Sequence, residues 1–182
     1  MRIIAGKYKR TPILTLEGDK ITRPTRDMVR EALFSTIPIY SDTVFLDLFS
    51  GSGAIGLEAL SRGAEDAVFN DINKDAVKII RQNLTKVSEK RRVFNLDYAA
   101  CLLALKGESF DYIYCDPPYA FGEYERIFEL VEEYGLMKED ASLIVEVEKA
   151  TLLPETIGGL SLYKERRYGI NKLLYYEKGE KL

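Results

Sequence analysis

Residues 47–56 read DLFSGSGAIG, and their surroundings decide the fold. Upstream, TVFLDLF (43–49) is a short apolar run of strand type; downstream, AIGLEALSRG (54–63) reads as a helix closing at Gly63. Gly51, Gly53 and Gly56 therefore fall in a strand-to-helix turn with G-x-G-x-x-G spacing. Such glycines permit a tight turn, close approach of a ligand to the backbone and close helix packing. The pattern alone is weak, since glycine-rich turns also occur without a ligand, so the rest of the chain has to decide.

Outward from this turn, strand and helix signals alternate. DAVFND (66–71) precedes the helical NKDAVKIIRQNLTKV (73–87), and RRVFNLD (91–97) precedes YAACLLALKG (98–107). FDYIYCD (110–116) is followed by the amphipathic EYERIFELVEEYG (123–135), and then by ASLIVEVE (141–148). LSLYKERRY (160–168) and NKLLYYEK (171–178) flank Gly169 as an antiparallel pair. Ahead of all these, ITRPTRDMVREALFSTI (21–37) is helical, with Thr25 as N-cap, Asp27 in the first turn and Pro38 as the stop. The sum predicts a single Rossmann-like α/β domain over residues 23–182. Its sheet is mostly parallel and seven-stranded, with helices on both faces and an antiparallel edge. Residues 1–22 form a basic β-hairpin arm ahead of it.

Composition narrows the chemistry. At 182 residues and 46% apolar content the chain suits one domain with a substantial core. It holds no apolar run of membrane-spanning length, and MRIIAGKYKR lacks a signal-type apolar region, so a soluble, cytoplasmic protein is expected. Histidine is absent, which excludes Ser-His and Cys-His catalysis and histidine zinc sites; no metal is expected. Cys101 and Cys115 lack ligand spacing and read as core thiols. Net charge is −3, yet residues 1–31 hold eight basic against four acidic residues, a balance of +4 that leaves −7 for the rest. That basic segment is either a polyanion-docking element or a solvated face.

Two carboxylates sharpen the glycine turn. Asp71 ends the second strand, placed to accept both ribose hydroxyls of an adenosine. Asp47 ends the first, where burial is costly unless it binds something. A pyrophosphate avoids a carboxylate beside the glycines, whereas a cationic ligand is favoured there. S-adenosylmethionine, with its ammonium and sulfonium, fits better than NAD. At the end of the fourth strand comes DPPY (116–119). Asp116 and the Pro117 carbonyl can accept the two hydrogens of an exocyclic amine while Tyr119 stacks on its base, and the prolines hold both acceptors rigidly.

Residues 47–56 and 116–119 resemble class I methyltransferases of the amino-methylating type. RIIAGKYK (2–9), RPTRDMVREALF (23–34), GLEALSRGA (56–64) and RRYG (166–169) are similar to the RsmD family, and the likeness spans nearly the whole chain. The resemblance implies methylation of N2 of one guanine in bacterial 16S ribosomal RNA, with a small ribosomal subunit or an assembly intermediate as the expected setting. It implies that Arg23 and Thr25 reach the cofactor, and that Asp97 contacts the adenine amine, although Asp97 also suits a helix N-cap. The adenine would lie between Ile72 and Asp97-Tyr98, with Phe49 beside the loop. RNA contacts are expected from Lys7, Lys9, Arg10, Arg23 and Arg26. The chain departs from the family pattern at Arg10-Thr11, where Gly-Arg is common, and at RPTRDMV, where RPTTDRV is familiar. The rival readings are a DNA adenine-N6 methyltransferase, which would need a target-recognition segment not evident here, and a non-catalytic RNA-binding or assembly module. An NAD-dependent oxidoreductase ranks behind both.

Overall fold

The computed structural model describes residues 1–16, 23–118 and 120–179. Its strands are β1 (Val44–Asp47), β2 (Asp66–Asn70), β3 (Val93–Phe94), β4 (Phe110–Cys115), β5 (Met137–Glu148), β6 (Thr156–Ile157), β7 (Leu160–Tyr168) and β8 (Asn171–Lys178). The helices are α1 (Arg23–Thr36), α2 (Ala54–Ser61), α3 (Lys74–Lys86), α4 (Tyr98–Ala104) and α5 (Tyr124–Glu133). One sheet runs β3-β2-β1-β4-β5-β8-β7-β6. The first five strands are parallel, and β8, β7 and β6 each pair antiparallel to their neighbours. The topology reverses between β1 and β4, where open α/β sheets leave a crevice beyond the strand ends.

Both faces are covered, as parallel strands require. Leu46, Ile113, Leu143 and Leu174 pack with Leu102 of α4 and Phe128 of α5. Phe45, Phe69, Tyr114, Ile144 and Leu173 pack on the other side with Leu33 of α1, Leu57 of α2 and Ile80 of α3, joined by Ile3 and Ile13 of the N-terminal segment.

The expected architecture holds, with differences of detail. Among the described residues the sheet has eight strands, because β6 adds a two-residue edge that is too short to leave a periodic signal. The third strand shrinks from seven residues to Val93–Phe94. Beyond it the Asn70 side chain replaces the ladder, accepting from Leu96 N (3.2 Å) and donating to the carbonyls of Leu96 and Leu48 (3.1 Å each). Helix α1 begins at Arg23, so Thr25 lies inside its first turn instead of capping it. Pro24 accounts for this, since its fixed φ and missing N–H suit the first helical positions.

The N-terminal segment forms a minimal hairpin with one antiparallel bridge, Arg2 to Pro12. Side chains of the body hold it in place. Ile4 N and Ala5 N donate to the two carboxylate oxygens of Glu58 (2.8 and 2.9 Å), Tyr8 N to Ser61 Oγ (3.0 Å) and Leu14 N to Asn83 Oδ1 (2.8 Å). Gly6 lies so close to α2 that an added Cβ would fall 1.8 Å from the Ser61 carbonyl oxygen. Arg10 adopts φ 72°, a left-handed conformation that glycine takes freely. A glycine would be free of strain at this point, and arginine stands there under mild strain.

Candidate active site

A cavity of about 460 Å³ opens at the carboxyl ends of β1, β2, β4 and β5. Asp47, Phe49, Gly51, Asp71, Ile72, Asp116 and Pro118 all line it. The two motifs, far apart in sequence, thus face one space because β1 and β4 are neighbours.

The glycine turn is built from both ends. Ser50 Oγ donates to the Asp47 carbonyl (2.7 Å), and Ser50 N donates to the Asn70 carbonyl (2.8 Å), so the turn is tied to the end of β2. Gly51 and Gly53 take positive φ, 55° and 79°. An added Cβ at Gly51 would meet nothing within 4 Å, whereas one at Gly56 would come within 2.3 Å of the Phe69 ring. Gly51 therefore leaves open space beside the backbone on the cavity wall. Gly53 and Gly56 lie off the cavity wall and shape the turn and the seating of α2.

Asp71 is engaged on both oxygens, accepting from Gly51 N and Asn73 N at 2.8 Å each. A carboxylate offers about four acceptor positions, so two lone pairs remain for a ligand. Asp47 is 1% exposed and accepts from Gly56 N (3.1 Å). Burial pushes its carboxyl up to about 7; the Gly56 N–H opposes the shift and the charge of Asp71 adds to it. A cationic group entering the cavity would supply the compensation this carboxylate lacks, so the donor set fits the sulfonium cofactor.

Other expected residues fall elsewhere. Asp97 accepts from Ala100 N (3.0 Å) as the N-cap of α4 and does not line the cavity. Tyr98 packs in an aromatic cluster with Phe49 and Phe121 and bonds to Glu123 through its hydroxyl. Arg23, Thr25 and Arg26 lie in the first turns of α1; their expected side-chain contacts, and Tyr119, fall outside what is described. Lys9 and Arg10 are exposed on the hairpin, and Lys7 pairs with Glu89 (3.1 Å). Cys101 and Cys115 are buried free thiols, raised by burial. Among the described residues no cluster of three potential metal ligands occurs, and no helix is long and apolar enough to cross a membrane.

Sequence reading missed several cavity residues, Arg30, Tyr114, Glu146 and Asn171. Each sits at a helical or alternating position that pattern analysis assigns to core or surface by default. The available signal was a polar residue at an inward position: Glu146 lies between Val145 and Val147, and buried charge is rare without a partner.

A parallel sheet reversing between β1 and β4, with an acid–glycine turn and an Asp-Pro-Pro segment on one cavity, defines a class I methyltransferase. Residues 1–177 match the family model described as Conserved hypothetical protein 95. The chain belongs to that family, the RsmD family. It is 36% identical over 173 residues to Ribosomal RNA small subunit methyltransferase D of Escherichia coli (strain K12), covering 93% of this chain and 85% of that protein. The corresponding Haemophilus influenzae protein is 34% identical over 186 residues, covering 97% and 93%. A solved structure of a hypothetical protein from Thermus thermophilus superposes with TM-score 0.82 at 30% identity, covering 97% of this chain and 99% of that one.

Proposed function

We propose that the protein transfers a methyl group from S-adenosylmethionine to N2 of a guanine in small-subunit ribosomal RNA, acting in the cytoplasm. The observation that carries this is the single cavity shared by Asp47, Asp71 and Asp116; the names of the relatives supply the RNA class. The cofactor brings a methyl on a cationic sulfur, activated for displacement. Asp47 and the Gly51 backbone hold its methionine end, and Asp71 its ribose. Asp116 and the Pro117 carbonyl accept the amine hydrogens, favouring the pyramidal nitrogen of the transition state, and Tyr119 stacks on the base. Asp116 can also take the proton that the methylated amine sheds. Residues 1–22 act as an RNA-docking arm on the domain of residues 23–182, with Arg23 and Arg26 extending its charge. Incubation of ribosomal RNA with labelled cofactor, followed by nucleoside mass spectrometry, tests the reading; label on adenine or on no base would reject it.

Cofactor affinity should depend on pH. A bound cation favours the ionised form of Asp47, so binding releases a proton wherever the free carboxyl is protonated. Affinity should therefore climb as pH rises toward about 7, by up to roughly tenfold per unit, and flatten above it. Calorimetry across pH checks this, and Asp47→Asn should bind weakly at every pH without the slope.

The arm gives a second expectation. Phosphate contacts release counterions, so RNA affinity should fall steeply with salt. Neutralising Lys7, Lys9 and Arg10 together should weaken RNA binding and flatten that slope by up to about 3 in log-log units, with cofactor affinity unchanged. Filter binding over a salt series measures it. Lys7 should contribute least, because Glu89 already pairs with it.

A further inference from the structure

The cavity extends past the glycine turn and Asp116. Asp47 on β1, Tyr114 on β4, Glu146 on β5 and Asn171 on β8 all line it, forming a polar row across four adjacent strands. The Tyr114 hydroxyl donates to Glu146 Oε2, and Asn171 Nδ2 donates to Oε1 at 2.7 Å. A carboxylate oxygen only accepts, so this contact fixes the amide and turns Asn171 Oδ1 the other way. That oxygen is buried without a hydrogen-bond partner, on a side chain belonging to a residue 9% exposed. Buried acceptors are almost always satisfied in folded proteins, so this one leaves the Tyr114–Glu146–Asn171 network incomplete beside the cavity.

The wall is short of positive charge. Arg30 is its one lysine or arginine among the described residues, and its guanidinium is committed to the Arg2 carbonyl and Asp27, 3.6 Å from Glu58. The row also has an order. Asp47 sits with the glycine turn, Asp116 follows β4, and Glu146 stands one strand further, about 10 Å from β1 by strand spacing. A cofactor at β1 and a reacting amine at Asp116 leave the rest of the base over β5 and β8.

We propose that Glu146, positioned by Tyr114 and Asn171, is the specificity residue for the target base, accepting the N1–H of guanine. This rests on the guanine reading above. Guanine offers N1–H and the 2-amino group on one edge, whereas adenine presents an unprotonated N1, which would set lone pair against lone pair. Sites built to receive a hydrogen bond reject analogues that cannot donate it.

The test first maps the methylated position with wild-type protein. Ribosomal RNA ligated to carry 2,6-diaminopurine there keeps the 2-amino group but replaces N1–H by an acceptor. The wild type should prefer guanine by roughly a hundredfold or more in kcat/KM. Glu146→Gln, whose amide can donate to an unprotonated N1, should lose about 10- to 100-fold on guanine and narrow that preference, with cofactor affinity within about threefold. Asn171→Ala should narrow it in the same direction, more weakly. An unchanged preference in both folded variants would assign Glu146 to structure alone. A parallel loss of cofactor affinity would assign it to the methionine ammonium. A wild type that leaves guanine N2 unmodified overturns the functional reading itself, and this proposal with it.

Discussion

Replacing Asp116 by alanine is expected to cut methyl transfer by about 10²- to 10³-fold while leaving cofactor affinity within a few-fold. The magnitude is that of removing one preorganised group aimed at the reacting centre. The two constants separate because Asp116 lies after β4, whereas Asp47, Gly51 and Asp71 lie at the ends of β1 and β2. An interaction formed mainly in the transition state lowers kcat with little effect on binding. Single-turnover methylation of ribosomal RNA, with calorimetry of the cofactor alongside, measures both. Near-normal turnover in a folded Asp116→Ala protein would remove this residue from the mechanism. Asp116→Asn, which keeps one acceptor oxygen, should retain more activity than alanine.

The largest effect on stability is expected at Glu58. It is fully buried, accepts from Ile4 N, Ala5 N and Arg62 Nε, and lies 3.6 Å from the buried Arg30. Alanine there would leave Arg30 short of its buried counter-charge and orphan two arm amides. Breaking a buried pair from one side costs about 3 to 5 kcal/mol. Denaturant unfolding of Glu58→Ala should show a loss of that order, and proteolysis should cut first within residues 1–16. Glu58→Gln keeps one acceptor oxygen and should lose less.

The main architecture was legible because β1, β2 and β4 are short buried strands bounded by turn residues, and periodicity marks such elements directly. Asp47, Asp71 and Asp116 were legible for a different reason. Each is an acid at a strand end beside glycine or proline, or at the spacing from the glycines that a ribose contact needs, where a local rule assigns it work. The same logic overstated the third strand, since nothing local reveals that Asn70 takes over the pairing beyond Phe94. It also left Asp97 open between a cap and a ligand contact, and the cap is what its side chain makes here. Glu58, Glu146 and Asn171 were invisible to it. Their roles depend on partners 25 to 54 residues away, and sequence separation of that size carries no periodic trace.

The anchoring of the N-terminal segment has a consequence for the order of events during synthesis. Residues 1–16 are made before their partners Glu58, Ser61 and Asn83, which follow 53 to 69 residues later. At about 5 to 20 residues per second, that interval lasts roughly 3 to 14 s, long compared with the formation of a hairpin. Throughout it Ile3 and Ile13 lack the α2 and α3 residues, such as Leu57, Leu60, Ile80 and Leu84, with which they share a core cluster in the folded protein. A segment made early is thus docked late, onto residues that do not yet exist when it is synthesised.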